Sequence, residues 1–247
     1  MGKVIVITGA GDGLGRALAR RFAKDGETVI LLGRTLAKVQ AVAEELGSPH
    51  KAVHCDVGDP ASVTAAFAEI GKDHRRIDVL INNAAIFWPL TLAEATPERV
   101  SEQVNTNLTG PIMVAHAALP LLKGGGHIIN VTSESVAEVV PMLWLYGGTK
   151  AGLEFISDRW ARELASDDVR VTIVQCGKMM DETKTTSPWP QELGIRFHAA
   201  NAAIGVDLRT AAISHYDHIT DAFRAVIDSA PDVHLRKVEI RARPRQS

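Results

Sequence analysis

Tyr146 and Lys150 stand four apart in Tyr146-Gly147-Gly148-Thr149-Lys150. Leu153, Ile156, Trp160, Ala161 and Leu164 recur behind them at helical spacing, so a helix from Tyr146 to Leu164 carries both side chains on one face, a turn apart. A phenol ordinarily titrates near about 10, and a cation held beside it favours the phenolate. Such a pair gives or takes a proton nearer neutrality, which suits the interconversion of carbonyls and alcohols. The same spacing also occurs where a Tyr and a Lys are plain neighbours on a half-buried face. The rest of the chain decides between the two by what else it brings to that helix.

The elements that must position the pair alternate. Lys3 to Thr8, Thr28 to Gly33, His50 to Cys55, Ile77 to Ile81 and His127 to Thr132 are short apolar runs of the kind buried on both faces of a parallel sheet, and Arg170 to Gln175 adds a sixth after the helix. Helical patterns fall between them at Arg16 to Lys24, Leu36 to Leu46, Pro60 to about Lys72, and in a long element within Pro97 to Ala118. This alternation implies right-handed βαβ units and predicts a doubly wound α/β fold, a parallel sheet with helices on both faces. Lys237 to Ile240 reads as a last strand, for an expected order of 3-2-1-4-5-6-7.

Ligands of such sheets bind beyond the carboxyl ends of the strands, and the residues at those ends are glycine-rich or polar. Thr8-Gly9-Ala10-Gly11-Asp12-Gly13-Leu14-Gly15 joins the first strand to the first helix as a phosphate cradle, although its glycines fit G-x-G-x-x-G in no frame. The second strand ends in Gly33-Arg34-Thr35, a guanidinium where an acidic residue would bind the 2′-hydroxyl of NAD. NADP is therefore the expected cofactor, and Asp12 in the phosphate turn keeps NAD possible. Asn82-Asn83-Ala84-Ala85 follows the fourth strand, where small side chains permit close approach and amides brace the strands. Asn107 interrupts an apolar helix, which calls for hydrogen bonds that fix the helix or for a water held for proton transfer. Ser133 ends the fifth strand, and Trp88 and Trp144, with Met142, Met179 and Trp189, are candidate walls for a substrate with a hydrophobic body. Lys178 to about Gly205 lacks a clear period, and the region of about 178–215 is read as a lid or substrate loop.

The 247 residues, 46% hydrophobic, suffice for a substantial core and are read as a single domain, 1–247. With 27 Lys and Arg against 29 Asp and Glu, the net charge of −2 supplies no electrostatic reason for a nucleic-acid partner. Two cysteines make no disulfide framework, and no apolar run approaches the roughly 18 residues of a membrane span, so a cytoplasmic location is expected. His215 and His218 lie one turn apart without a third ligand, and no metal is expected.

Over Lys3 to about Gly177 the chain resembles the short-chain dehydrogenase/reductase family in its short single-domain form. The resemblance is carried by Thr8-Gly9-x-x-x-Gly13-x-Gly15, Asp56, Asn82-Asn83-Ala84, Asn107, Ser133 and Tyr146-x-x-x-Lys150, all in order. It implies hydride transfer between a nicotinamide dinucleotide and a carbonyl or secondary alcohol of a small molecule. Tyr146 would then be the general acid/base, and Lys150 would lower its pKa while holding the nicotinamide ribose. Ser133 would bind the reacting oxygen, and Asn107 would position a water. The turn from Thr8 to Gly15 would seat the pyrophosphate, Asp56 and Val57 would meet the adenine, and Asn83, Ala84, Gly177 and Met179 would line the rest of the cofactor. A homotetramer or homodimer is implied as well. The chain departs from the family pattern at Ala85, at Cys176-Gly177 in place of Pro-Gly, and at Asp181 in place of a Thr that meets the cofactor, for which Thr183 or Thr185 would substitute. Two other classes, a non-catalytic dinucleotide-binding regulator and a cofactor-using lyase or epimerase, are disfavoured by the intact reactive set and by the short chain.

Overall fold

The computed structural model describes residues 2–181, 189–206 and 210–244. Strands β1 (Val4–Thr8), β2 (Thr28–Gly33), β3 (Lys51–His54), β4 (Val79–Asn82), β5 (Gly126–Ser133) and β6 (Val169–Cys176) alternate with helices α1 (Gly13–Lys24), α2 (Leu36–Leu46), α3 (Pro60–Asp73), α4 (Pro97–Val104), α5 (Gly110–Leu122) and α6 (Trp144–Glu163). Beyond β6 come the two-residue β7 (Met179–Met180), α7 (Gln191–Ala202), the two-residue β8 (Ser214–His215), α8 (Thr220–Ile227) and β9 (Lys237–Ile240).

Seven strands form one sheet in the order β3-β2-β1-β4-β5-β6-β9, all paired in parallel, while β7 and β8 pair apart from it. This is the doubly wound order expected, with β9 in the seventh place. The strands lack an apolar/polar alternation because both faces are buried: Ile5 and Ile7 enter one core, and Val6 between them enters the other. The first core joins α1, α2 and α8 through Phe22, Val39 and Phe223; the second joins α3, α5 and α6 through Phe67, Val114 and Trp160. Phe22 and Phe223 are fully buried, and each such side chain contributes about 1.5–3 kcal/mol.

Local chemistry sets the element ends. Asp12 caps α1 by accepting from the Gly13 amide at 2.8 Å, so the helix begins at Gly13, three residues before the expected Arg16, and the last glycines of the turn lie in its first turn. Asp59 caps α3, with Pro60 at its first position. The long helix expected within Pro97 to Ala118 is instead α4 and α5, joined by a π-helical turn over Asn105–Thr109 and running on to Leu122. Gly110, whose amide reaches back to the Asn105 carbonyl, closes that turn; a Cβ there would lie 2.8 Å from the Val57 carbonyl oxygen. The region after β6, without a clear period in sequence, contains α7. Thr183 and Thr185 lie outside the described residues.

Candidate active site

A buried polar chain ties the helix carrying Tyr146 and Lys150 to the sheet. Asn82 donates to Asn130 at 2.9 Å, Asn130 to the Ser157 hydroxyl at 2.8 Å, and Ser157 to the Leu153 carbonyl at 2.6 Å. These bonds run from β4 through β5 to α6 and fix the helix in register with the strand ends. The Lys150 ammonium is buried and donates to the Val131 carbonyl at 2.8 Å; it lies 5.9 Å from the centroid of the Tyr146 ring.

Tyr146 and Lys150 therefore sit against the carboxyl end of β5, as does Ser133, whose hydroxyl accepts from the amide and the hydroxyl of Ser135 at 3.2 and 3.0 Å. Burial pushes the Tyr146 phenol up to about 12, while hydrogen bonding with Ser133 acts in the opposite direction. Burial likewise pushes the Lys150 ammonium down to about 8. For this chain desolvation outweighs the stabilisation of phenolate expected from the lysine, and near neutrality the pair is a neutral phenol beside an ammonium. Cys176, from β6, also borders them, its thiol pushed up to about 12 by burial.

These groups line a cleft of about 420 Å³ that runs over the strand ends to the glycine turn. Gly9, Asp12, Gly13, Leu14, Arg34, Asp56, Val57, Asn83, Ala84, Gly177 and Met179 also line it. Thr8, Gly11 and Gly15 act from behind. The Thr8 hydroxyl accepts from the amides of Asn83 and Ala84, at 3.0 Å each. A Cβ on Gly15 would lie 2.2 Å from the Gly9 carbonyl oxygen, and one on Gly11 would lie 2.8 Å from the Lys38 Cβ. Gly9 itself holds φ of 66°. The turn is thus bare backbone packed directly on α1, a cradle for a phosphate-bearing ligand. At the end of β2, Arg34 stands at the rim with only a 4.0 Å approach to Glu102, and Lys38 lies 3.5 Å from Asp12.

Among the described residues, no hydrogen bond joins Tyr146 to Asn107. Fully buried in the π-helical turn, it accepts from the Ile86 amide at 2.9 Å, donates to the Ile86 carbonyl at 2.7 Å, and approaches the Thr149 hydroxyl at 3.4 Å. Gln103, one turn earlier, accepts from the Trp88 amide at 3.1 Å. With the backbone held on both sides, Phe87 packs 5.5 Å from the ring of Tyr146, and Trp189 packs edge-on to Phe87 at 4.8 Å.

The two tryptophans expected as substrate walls are elsewhere. Trp88 lies 3.9 Å beneath the Arg99 guanidinium of α4. Trp144 donates from its indole to the Leu90 carbonyl at 3.0 Å. Neither lines the cleft; from that loop it is Ile86 that does. Asp181 pairs with Arg16 of α1 at 2.9 Å. Sequence reasoning missed Phe87, Gln103 and Tyr216, the last of which lines the cleft beside Gly13. Phe87 was visible in the apolar loop, whereas no sequence signal links Tyr216 to a turn some two hundred residues earlier.

The sequence model of the family described as short chain dehydrogenase matches residues 3–193. A D-xylose 1-dehydrogenase of Caulobacter vibrioides is 39% identical over 193 residues, 76% of this chain and 75% of the relative. A serine 3-dehydrogenase of Agrobacterium fabrum is 38% identical over 194 residues, 75% of each chain. Among solved structures, an alcohol dehydrogenase from the archaeon Thermococcus sibiricus, complexed with 5-hydroxy-NADP, superposes with a TM-score of 0.82 at 25% identity, covering 100% of this chain and 99% of its own.

Proposed function

The chain belongs to the short-chain dehydrogenase family, and from that premise we propose that it transfers hydride between NADP(H) and a carbonyl or secondary alcohol of a small molecule. The observation that carries this reading is the convergence of Ser133, Tyr146 and Lys150 on one cleft continuous with the bare glycine turn. The nicotinamide supplies or accepts the hydride. In the reductive direction Tyr146, neutral near pH 7, gives its proton to the substrate oxygen, and in the oxidative direction it takes that proton back. Ser133 donates to the same oxygen and stabilises its developing charge. The Lys150 ammonium, held by the Val131 carbonyl, favours the phenolate once the proton has left. Asn107 acts as a positioning residue, setting the Ile86 backbone and with it Phe87.

NADP preference is supported by Arg34 at the cleft rim and by Lys38 one turn into α2, where Thr35 makes no side-chain cap. That leaves the helix amides and a nearby guanidinium for a 2′-phosphate. The aromatic pair Phe87 and Trp189 supports a substrate with an apolar face, and the names of the two relatives point to small hydroxylated compounds. The region of about 178–215 would be its substrate loop. Free, buried Cys55 and Cys176 support a cytoplasmic protein, and Phe155, 59% exposed on α6, supports a homodimer or homotetramer that light scattering would detect.

The test is titration with NADPH and NADH by fluorescence, followed by oxidation of the reduced cofactor against a panel of ketones and aldehydes. Tyr146→Phe should retain dinucleotide binding and lose about 10²–10⁴-fold in turnover. Turnover by Tyr146→Phe at the parent rate would overturn the mechanism, and dinucleotide binding without turnover on any carbonyl or alcohol would favour a sensor.

A further inference from the structure

We propose that Glu154 is a positioning residue for hydride and proton transfer: its carboxylate grips Thr132 and so holds the end of β5, with Ser133 on it, in register with the helix that carries Tyr146 and Lys150. The proposal rests on the hydride-transfer reading of the cleft and extends it to a carboxylate that does not line it.

Glu154 stands one helical turn beyond Lys150 on α6, so the two side chains leave the helix on one face. Both reach β5, at adjacent residues. The Lys150 ammonium donates to the Val131 carbonyl at 2.8 Å, and the Thr132 hydroxyl donates to Glu154 Oε1 at 2.7 Å. From β6, the Gln175 side-chain amide donates to the Ser133 carbonyl at 3.0 Å. Three successive residues of β5 are thus each held by one side chain. The third of them, Ser133, carries the hydroxyl that would meet the substrate oxygen.

Strand and helix meet as a ladder. Asn130 and Thr132 share one face of β5. Asn130 bonds Ser157, and Thr132 bonds Glu154, one turn nearer the start of α6. The first rung lies deep in the sheet; the second lies next to the reacting groups. Valine would fill the same space at residue 132, which is 2% exposed. What the hydroxyl adds is a directed link between the strand and the helix.

The carboxylate is itself fixed. Its second oxygen accepts from the Lys237 ammonium of β9 at 3.0 Å, and Lys237 also lies 3.3 Å from Glu239. One oxygen therefore goes to a cation, and the other is left for Thr132. A hydrogen bond to a carboxylate is about twice as strong as a neutral one, so this contact orients the strand end firmly. Displacement of a reacting group by about 1 Å costs on the order of 10²-fold in rate.

Thr132→Val and Glu154→Ala in the full chain test this, read by the single-turnover rate of cofactor oxidation with the parent's best carbonyl substrate. Each should lower that rate at least about fivefold. The dissociation constant for NADPH, or for NADH if that binds tighter, should stay within about threefold, since the glycine turn is untouched. The double variant should lose no more than either single one, because both remove the same link. Glu154→Gln keeps an oxygen for the Thr132 hydroxyl and should lie within about threefold of the parent. A smaller loss in Thr132→Val, or losses that multiply in the double variant, would overturn the proposal. So would a loss in Glu154→Gln as large as in Glu154→Ala, which would place the effect in the charge, or a fall in melting temperature without a fall in rate. Should Glu154→Ala fail to fold, Thr132→Val, which keeps the shape of the side chain, decides alone. A parent that oxidises no cofactor with any carbonyl would instead remove the functional reading beneath the proposal, whereas a parent that turns over, matched by Thr132→Val, would refute the Glu154 assignment alone.

Discussion

Gly15→Ala tests the seating of the phosphate cradle on the first helix. A Cβ at residue 15 would lie 2.2 Å from the Gly9 carbonyl oxygen, 2.8 Å from the Gly9 carbonyl carbon and 2.7 Å from the Asn83 side-chain nitrogen. Two of these atoms are backbone and no rotamer moves them, so α1 and the turn must separate by about 1 Å to reach ordinary contact. That motion strains the Asn83 bond to the Thr8 carbonyl, now 2.9 Å. Overpacking of this kind costs about 1–3 kcal/mol, and the strained hydrogen bond adds about 1 kcal/mol. The sum, about 2–4 kcal/mol, lowers the melting temperature by about 5–10 °C in a chain of this length. Dinucleotide affinity should fall at least about tenfold, because the cradle itself has moved. Gly71→Ala is the matched control: it lies in α3 with nothing within 4 Å of an added Cβ, and should stabilise by about 0.5–1 kcal/mol. Thermal melts and fluorescence titrations on both variants decide the matter. An unchanged melting temperature and NADPH affinity in Gly15→Ala would refute the claim that the turn is packed directly on the helix.

Three further outcomes are expected. Arg34→Ser should weaken NADPH about tenfold or more and leave NADH within about twofold, since Arg34 is held only loosely by Glu102 at 4.0 Å; equal effects on both cofactors would make it a plain rim cation. Asn107→Ala should cost about 2–4 kcal/mol by unpairing both backbone groups of Ile86 and should lower turnover through Phe87, as read by chemical denaturation and steady-state rates. Lys150, pushed down to about 8 in the folded chain, binds fewer protons there than in the unfolded chain between about pH 8 and 10.5, so its contribution to stability rises through that window and is lost as pH falls through 8. The stability of Lys150→Met relative to the parent should therefore be greatest below pH 8 and decline toward pH 10, and a pH-independent difference would contradict the burial of the ammonium.

Much of this architecture is legible in the sequence because its causes are local. Apolar runs rich in β-branched residues, as at Val4–Thr8, state that both faces of a strand are covered, and Gly9, Gly13 and Gly15 state where backbone must approach backbone. What was not legible depends on direction or on distance along the chain. Phe87 and Trp88 are adjacent and equally apolar; which packs on the Tyr146 ring depends on the grip of Asn107 and Gln103 on the backbone, a tertiary fact. Asn107 stands out as polar within an apolar segment, yet its reason is the π-helical turn, and one helix or two look alike when the period shifts by a single residue. The sequence alone does not show that α1 begins at Gly13, because glycines at a helix N-terminus resemble a loop until a cap such as Asp12 is seen to hold them.

The charge along the cleft follows the same division of labour. Arg34 stands at the end of β2, buried Lys150 at the end of β5, and the stretch of turn between them is lined by bare backbone, Asp12 and Tyr216. A cation in that middle stretch would pair with Asp12, as Lys38 does from the rim, and its long side chain would occupy the space the glycines keep open. Backbone amides leave that space clear. On the proposed function the two cations would act where an elongated ligand differs along its length, Arg34 at a distal phosphate and Lys150 beside the phenol, so changes at Arg34 should alter which ligand is held, and changes at Lys150 what is done to it.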